Sequence, residues 1–237
     1  MKDQARATGE DIFGMGNPDP PTPRHIVEKL CVGAADPRAH RYSVSRGIPG
    51  LRRALANYDA CRFNVPLDPE TEVVVTLGSK EGFTNLASAL TSPGDVVLVP
   101  NPCYPIHAFG FVIAGCMVQQ HIPATPNVLF LEALHRVVRY SVPKPLAVIV
   151  NYPSNPTALV ASLDFYREGV AFCRRHDIWI LSDLADAEVY FDLVPPPSVH
   201  LCCRCLTPRR SVWNSALCLK RITCLTGGSV LLQARSG

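Results

Sequence analysis

Two segments that could do chemistry begin and end the central part of this sequence. Residues 76–82 read Thr-Leu-Gly-Ser-Lys-Glu-Gly and lead from a predicted strand end through a small turn into a predicted helix. Free N–H groups at a helix N-terminus suit a phosphate, and Ser79 and Lys80 add two possible donors. A glycine–serine pair before a helix is also a common turn and cap, and the spacing fits neither the Walker pattern nor the dinucleotide fingerprint. Both interpretations stay open for this segment on its own.

The second of these segments is the apolar run 178–183, which delivers Asp183 to the end of a predicted strand. A carboxylate in such a position costs desolvation energy unless it is paired. Asp183 is therefore expected to meet a cation or a strong donor, either on a ligand or within the protein.

Two proline-rich loops lie between these segments. Tyr104 stands in Asn-Pro-Cys-Tyr-Pro, where it could stack on a planar ligand or simply pack over the loop. Asn155 stands between Pro153 and Pro156, and the prolines restrict the backbone, so that its amide is held in a fixed direction. Asn-Pro is also a common turn, so the binding and structural interpretations both remain open.

The elements that must position these residues follow from the alternation of short apolar β-branched runs with longer amphipathic stretches. This alternation is typical of βαβ units that build a mostly parallel sheet. The predicted strands are 72–76, 95–99, 111–119, 146–151 and 179–182, and the predicted helices are 80–90, 130–140 and 163–177, the last capped by Ser162. The proline-rich loops fall where strands end, and open α/β sheets bind ligands at the carboxyl ends of their strands.

The composition is that of a globular chain. Its 237 residues are 47% apolar and 18% charged, with a net charge of +3, which excludes disorder along the whole length. No run approaches the roughly 18 to 20 apolar residues of a membrane span, and the N-terminus has no apolar signal core. The cytoplasm is therefore the expected location.

The last 45 residues differ from the rest. All 20 acidic residues lie at or before Asp192, whereas residues 193–237 carry six basic groups and five of the ten cysteines. These cysteines could in principle bind zinc, but two are adjacent, which fits a zinc site poorly. The positive charge could attract nucleic acid, but only Trp213 offers an interleaved aromatic ring. Disulfides are not expected in the cytoplasm.

Taken in order, Gly-Ser-Lys, Asn-Pro-x-Tyr-Pro, Pro-Ser-Asn-Pro-Thr and Ser-Asp-Leu-Ala resemble the fold-type I, pyridoxal-phosphate-dependent class I/II aminotransferases. Residues 15–19, 42–49 and 99–107 resemble the branch that holds glutamate–pyruvate (alanine) and LL-diaminopimelate aminotransferases. The resemblance covers about residues 9–199, the front half of such an enzyme. It implies an α/β fold, the incomplete three-layer large domain of these transferases with a mostly parallel sheet. Residues 1–50 would form an N-terminal arm and substrate or dimer segment, 51–199 a partial cofactor-binding domain, and 200–237 an unstructured tail.

The resemblance also implies a cofactor, pyridoxal 5'-phosphate, and a role for each candidate. Gly78, Ser79 and Lys80 would cradle its phosphate. Tyr104 would stack on the pyridine ring, Asn155 would hydrogen-bond its phenolic oxygen, and Asp183 would pair with the ring nitrogen. That pairing keeps the ring protonated, so that it can act as an electron sink.

Two further residues receive roles from the resemblance outside this cluster. Tyr42 would reach the cofactor phosphate of a neighbouring subunit, and Gly16 would lie near the substrate carboxylate. Both imply a homodimer with shared active sites. The implied ligands are a small amino acid and a 2-oxo acid, with neither nucleic acid nor a membrane as partner.

Three departures from the family set this chain apart. Asp186 stands at a cofactor-contacting position where the family has a tyrosine that donates to the phenolic oxygen, so cofactor binding is expected to suffer. The stretch 12–16 is about two residues shorter than usual. The Schiff-base lysine in its Ser-x-Ser-Lys context is absent, because Lys220 has none of that context.

A change of reading frame explains the tail. New codons can be built from the last base of one residue's codon and the first two bases of the next residue's codon. In this shifted frame, Trp213 followed by Asn214 can encode only Glu. The shifted codons over 214–224 permit Phe-Ser-Thr-Leu-Ser-Lys-Thr-Tyr-Asn-Met-Pro, and those over 226–231 permit Trp-Arg-Ile-Gly-Phe, as in the family. Only the glycine expected between residues 225 and 226 is not permitted.

Two hypotheses follow from these observations. The first is an aminotransferase of alanine or glutamate that is inactive in the printed form, because the lysine and the C-terminal domain with its substrate-binding arginine are missing. The second is a non-catalytic remnant that binds the cofactor weakly or pairs with an intact homologue.

Overall fold

The structure, a computed structural model, describes residues 21–42, 44–191 and 193–197 and the backbone of 216–219. The chain divides into two compact units, Met1–Tyr42 and Ser43–Gly237. This division lies after Tyr42, and the predicted segments 1–50, 51–199 and 200–237 stay predictions.

In the described part of the first unit, residues 21–42, helix α1 (Arg24–Ala34) is followed by a 3-10 turn over Pro37–His40. Asp36 caps that turn, because its Oδ1 accepts a hydrogen bond from the Arg38 N–H at 2.9 Å. No residue of α1 is buried. Tyr42, at the end of the unit, is fully exposed, and its predicted contact with a neighbouring subunit stays a prediction. Gly16 lies outside the described residues.

In the part of the second unit that the structure describes, five strands form a parallel sheet with the order β2-β1-β3-β4-β5. The strands are β1 (Val96–Asn101), β2 (Met117–Pro123), β3 (Pro145–Asn151), β4 (Trp179–Asp183) and β5 (Ala216–Leu219). The helices are α2 (Pro49–Phe63), α3 (Ser79–Leu90), α4 (Pro105–Ile113), α5 (Val128–Tyr140) and α6 (Leu163–His176). The predicted α/β class with a mostly parallel sheet is confirmed.

Successive residues of the central strands face opposite sides of the sheet and build two apolar layers. On one side, Leu98 and Val148 pack in a cluster with the aromatic side chains of α5 and α6. On the other side, Val97 and Ile149 pack in a cluster with residues of α3 and α4. Because both faces are covered, the strands are continuous apolar runs, as is typical of parallel sheets.

Both termini of α6 are specified by the sequence around them. The Ser162 hydroxyl caps the helix by accepting a hydrogen bond from the Phe165 N–H at 3.1 Å, as predicted. Asp177 then stops the helix in the left-handed conformation, with φ 56°. Three basic residues in the last turn, 174–176, suit the negative end of the helix dipole.

Two predicted strands are corrected by the structure. The stretch 111–119 begins as helix, because Pro105 starts α4 and Phe111 is buried from its helical face; only Met117 onward is strand. The stretch 72–76 forms only a single bridge at Val74. The Val75 N–H donates instead to the Arg46 carbonyl at 3.2 Å.

Within the predicted tail 200–237, Ala216–Leu219 forms β5, and its backbone pairs in parallel with β4. The rest of the tail lies outside the described residues. In the part of the chain that the structure describes, no helix is both long and apolar enough to cross a membrane.

Candidate active site

The candidate residues meet where the parallel strands end. β1, β3 and β4 end at Asn101, Asn151 and Asp183, and the last two of these are directly paired in register. Because the strands are parallel, the loops that follow them start at the same edge of the sheet. The prediction of a ligand site at this edge therefore has a geometric basis.

Asn151 connects two of the predicted loops. Its side-chain N–H donates to the Asp183 carbonyl at 3.0 Å, while its Oδ1 accepts the Asn155 N–H at 2.9 Å. Sequence reasoning did not assign a role to Asn151. A role for Asn151 could have been inferred from its position, because it is the polar residue that ends a buried strand.

Asp183 is 4% exposed and its carboxylate has two hydrogen-bond partners. The His107 Nε2 lies 2.8 Å from Oδ2, and because a carboxylate oxygen only accepts, the tautomer assigned to His107 is the one that donates from Nε2. The Ala185 N–H donates to Oδ1 at 3.1 Å. The prediction that this carboxylate meets a strong donor is confirmed, with the donor inside the protein. These bonds orient the carboxylate and offset the cost of its burial.

His107 contacts the site, but the sequence analysis assigned it no role of its own. It lies on α4, is 1% exposed, and its ring centroid is 5.1 Å from that of Phe83 and 5.9 Å from that of Tyr104. The available signal was spacing, because Tyr104 precedes the first residue of α4 and His107 lies in its first turn.

The N-terminus of α3, where a phosphate is predicted to bind, has free backbone N–H groups. Gly78, in the left-handed region with φ 95°, precedes the helix and leaves it without a side-chain cap. The first bond of the helix runs from the Gly82 N–H to the Gly78 carbonyl, so the N–H groups of residues 79–81 have no acceptor in the described part of the chain. The Glu81 carboxylate is drawn back to accept the Leu77 N–H.

Lys80 and Tyr104 join this helix end to the buried pair. The Lys80 Nζ lies 5.4 Å from the centroid of the Tyr104 ring, in cation–π contact. The Tyr104 ring in turn packs edge-on against His107, which binds Asp183. The N–H groups that begin α3, the Lys80 ammonium, the Tyr104 ring and the buried Asp183 carboxylate therefore form one continuous row.

Asn155 and Asp186 line a second part of the site. Both contribute to an open cleft between the loops 153–160 and 186–197, whose other walls are mainly valines and prolines. Asn155 also borders a small cavity shared with His107 and Cys103. Burial raises the pKa of the Cys103 thiol, so the thiol that lines this cavity is protonated and uncharged near pH 7.

No group of three or more His, Cys, Asp or Glu side chains among the described residues is arranged to hold a metal ion. Of the five tail cysteines, four lie outside the described residues, and for Cys218 the structure describes only the backbone.

Comparison with known proteins identifies the family of this chain. The sequence pattern of the family described as aminotransferase class I and II matches residues 12–202. Aminotransferase AatC of Rhizobium meliloti is 63% identical over 201 residues, 84% of this chain and 49% of that protein. The glutamate–pyruvate aminotransferase AlaC of Escherichia coli is 49% identical over 201 residues, 84% of this chain and 48% of that protein.

Similarity extends to a further enzyme and to solved structures. An LL-diaminopimelate aminotransferase of Dehalococcoides mccartyi is 41% identical over 197 residues, 82% of this chain and 50% of that protein. Substrate-bound BacF from Bacillus subtilis superposes with a TM-score of 0.77 at 33% identity, covering 87% of this chain and 50% of that one. An N-succinyldiaminopimelate aminotransferase from Mycobacterium tuberculosis shares the fold, with a TM-score of 0.81 at 23% identity, and covers 98% of this chain and 60% of that one.

The fold and these comparisons define an α/β protein of the aminotransferase class. The chain belongs to the pyridoxal-phosphate-dependent class I and II aminotransferases, in the branch of the alanine and LL-diaminopimelate enzymes. It spans about half the length of the curated relatives that it matches. The family match ends at residue 202, close to residue 199, at which the motif resemblance stops.

Proposed function

We propose that this chain carries the cofactor-binding half of an enzyme that moves an amino group between an alanine-like or glutamate-like amino acid and a 2-oxo acid. The observation that carries this proposal is the buried His107–Asp183 pair at the carboxyl edge of the sheet. It lies beside Tyr104 and in one row with the uncapped end of α3.

The row of contacts fits pyridoxal 5'-phosphate. A phosphate needs several convergent donors, which the N–H groups of α3 and Lys80 supply. The flat pyridine ring needs an aromatic surface, and Tyr104 provides one next to those donors. Asp183 offers its carboxylate to a ring nitrogen, and Asn155 offers its amide to a phenolic oxygen. When bound, the cofactor supplies an electron sink for the α-carbon of the amino acid.

The residues of the chain would then hold the cofactor's charged groups and keep its ring nitrogen protonated. Asp183 keeps a proton on the ring nitrogen, and His107 keeps that carboxylate oriented by donating from Nε2. Since both side chains are almost completely buried, water does not screen the contact. The N–H groups at the start of α3 fix the phosphate, and Tyr104 fixes the plane of the ring.

Asp186 is the described residue that fits the cofactor poorly. It shares a cleft with Asn155, the residue proposed to contact the phenolic oxygen. A carboxylate there places a second negative charge beside that oxygen, which opposes binding. We therefore propose weak cofactor binding.

Covalent attachment is not expected at the described lysines of the second unit. Lys80 serves the phosphate end of the row, and Lys144 precedes β3, at the opposite edge of the sheet from the site. We propose that the cofactor is held without a covalent bond and that the printed chain does not transaminate.

The tail is the second part of this proposal. The family match ends at residue 202, where the acidic residues have already stopped, and the shifted frame permits the family's lysine motif. An independent read of the coding DNA from the codon of Tyr190 onward decides the matter. A single frame through the hidden Ser-x-Ser-Lys codons would make the printed tail an artefact, whereas a confirmed shift would show that this chain lacks the family's lysine motif.

The functional experiment uses the purified chain with pyridoxal phosphate, alanine and 2-oxoglutarate. We expect saturable cofactor binding, no pyruvate formation, and no lysine that retains the cofactor after borohydride reduction and dialysis. Lysine-dependent turnover by this chain would contradict the proposal.

A non-catalytic role is the second candidate function, and the first unit favours it. Helix α1 buries none of its residues and leaves Leu30 and Val32 exposed. We propose that such a surface pairs with a second copy of the chain or with an intact homologue. Sedimentation of the chain alone and mixed with a full-length relative tests this, since a chain that sediments as a monomer in both cases lacks the partner.

A further inference from the structure

The turn that follows β4 is fastened to helix α2 by one carboxylate. The Tyr58 hydroxyl donates to the Glu188 Oε1 at 2.6 Å, and the Arg62 Nε–H donates to the same oxygen at 3.0 Å. Tyr58 and Arg62 lie four positions apart, so they project from the same face of α2. This cluster of three side chains is called the α2 clamp below.

The α2 clamp is partly buried, which strengthens its bonds. Burial raises the pKa of the Tyr58 phenol, and the bond to Glu188 raises it further, so Tyr58 remains a donor at neutral pH. Arg62 is 21% exposed, and its Nη2 is buried without a hydrogen-bond partner in the described part of the chain. Glu188 pairs with this guanidinium through Nε, at 3.0 Å.

The helix that carries the clamp is itself held firmly. Arg52, buried on α2, donates from Nε to the Pro69 carbonyl at 2.9 Å and from Nη1 to the Gly47 carbonyl. It also pairs with Glu70. The α2 clamp thus joins the turn to a fixed support.

The turn between Asp183 and Glu188 is compact and bonded at both ends. The Ala185 N–H donates to Asp183 Oδ1 at 3.1 Å, and the Ala187 N–H donates to the Leu184 carbonyl at 3.1 Å. Leu184 and Ala187 are buried. Asp186 lies between these buried residues and lines the cleft that it shares with Asn155.

We propose that Glu188 is a positioning residue for this turn. By fixing its end on α2, Glu188 holds residue 186 at the cleft and preserves the bond between Ala185 and the Asp183 carboxylate. The consequence for the cofactor rests on the proposed function, whereas the effect on the turn does not.

Hydrogen exchange of the full chain, read by mass spectrometry, tests the effect on the turn directly. Glu188→Gln keeps an acceptor for Tyr58 but removes the charge that pairs with Arg62. We expect peptides covering 184–189 to exchange about tenfold faster or more, while peptides of β1 change by less than about twofold. Tyr58→Phe, which removes only one donor, is expected to give a smaller acceleration in the same peptides.

The matched control is Glu28→Gln, which removes the same group from the exposed pair between Arg24 and Glu28 on α1. It is expected to leave the exchange of 184–189 unchanged. Unchanged exchange of these peptides in Glu188→Gln would overturn the proposal, and so would equal acceleration in β1, which would show only a global loss of stability.

Equilibrium dialysis with pyridoxal phosphate then separates this proposal from the proposed function. If the wild-type chain does not bind the cofactor, the proposed function fails, and the exchange data still decide the role of Glu188. If it binds, Glu188→Gln is expected to weaken binding about tenfold, because the Asp183 carboxylate loses the Ala185 N–H that orients it, and Glu28→Gln is expected to leave binding unchanged. An unchanged affinity in Glu188→Gln would overturn the positioning role.

Discussion

The Nε2 of His107 lies 2.8 Å from the Oδ2 of Asp183, and these two buried side chains come from positions 76 apart in the sequence. The pair joins α4 to the end of β4. Its partners on either side are the Tyr104 ring and the turn that begins at Ala185. It is therefore both a structural bond and the centre of the candidate site.

The first prediction concerns the stability that this pair provides. Asp183→Ala leaves the His107 donor buried without a partner, and we expect the free energy of unfolding to fall by about 2 kcal/mol or more. Urea denaturation followed by circular dichroism measures this. The control Asp164→Ala removes a carboxylate that is 81% exposed and pairs with Arg167, which is expected to cost less than about 1 kcal/mol. Equal losses of unfolding free energy in both variants would contradict the claim that the buried His107–Asp183 pair stabilises the fold more than an exposed ion pair does.

The second prediction concerns the aromatic surface of the site. Tyr104→Ala removes the ring on which the cofactor is proposed to stack, so we expect the affinity for pyridoxal phosphate to fall about tenfold. Equilibrium dialysis gives the value. Tyr140→Ala is the matched control, because Tyr140 is 70% exposed at the end of α5, which leads to the opposite edge of the sheet. A loss of affinity in both variants would contradict a specific role for Tyr104.

The third prediction concerns the residue that departs from the family. Asp186→Tyr replaces a repelling carboxylate with a donor, and we expect cofactor affinity to rise about tenfold. Asp186→Asn, which removes only the charge, is expected to give a smaller rise. The same dialysis experiment measures both, and a lower affinity in Asp186→Asn would show that the carboxylate helps binding.

The fourth prediction uses two glycines with opposite environments. Gly169 lies inside α6 and borders a small apolar cavity, and a Cβ there would meet nothing within 4 Å. We expect Gly169→Ala to stabilise the fold by about 0.5 to 1 kcal/mol. Gly47 has φ 84°, and a Cβ there would lie 2.4 Å from the Val75 Cγ2, so Gly47→Ala should destabilise it. Thermal unfolding of both variants is the measurement, and a lower melting temperature for Gly169→Ala would contradict the packing described.

The fifth prediction concerns thiol reactivity. Burial raises the pKa of the Cys173 thiol to about 12, whereas Cys31 and Cys61 are exposed. Because the thiolate is the reactive form, iodoacetamide at pH 7.5 is expected to label the two exposed cysteines and to spare Cys173 until urea unfolds the chain. Peptide mass mapping distinguishes the sites. Labelling of Cys173 under native conditions at the rate of Cys61 would show that the cluster around α6 is not closed.

Much of the sheet could be predicted because its central strands are short apolar runs between turn residues. The runs that became β1, β3 and β4 carry this signal strongly, and so does the Ser162 cap of α6. Helix α4 was missed because its aromatic and β-branched residues have strand propensity, while tertiary packing made them helical. Helix α2 was missed because it buries Arg52 and Asp59, which interrupt its apolar pattern.

The site divides in the same way. Tyr104, Asn155 and Asp183 stand in local motifs at or just after strand ends, and Gly78 stands in a motif before a helix, so these placements could be predicted. Their connections could not, because the partners are distant in sequence: Asn151 bonds Asp183 across 32 positions, and Tyr58 bonds Glu188 across 130. Such pairs leave no local spacing that a single sequence can show.

The most direct test of the account is equilibrium dialysis of the full chain against pyridoxal phosphate, compared with Asp183→Asn and Tyr104→Ala. The account predicts saturable binding to the wild-type chain that is fully reversible on dialysis after borohydride treatment and at least about tenfold weaker in both variants. Absence of saturable binding, or equal affinity in all three proteins, would contradict the claim that this edge of the sheet is a cofactor site.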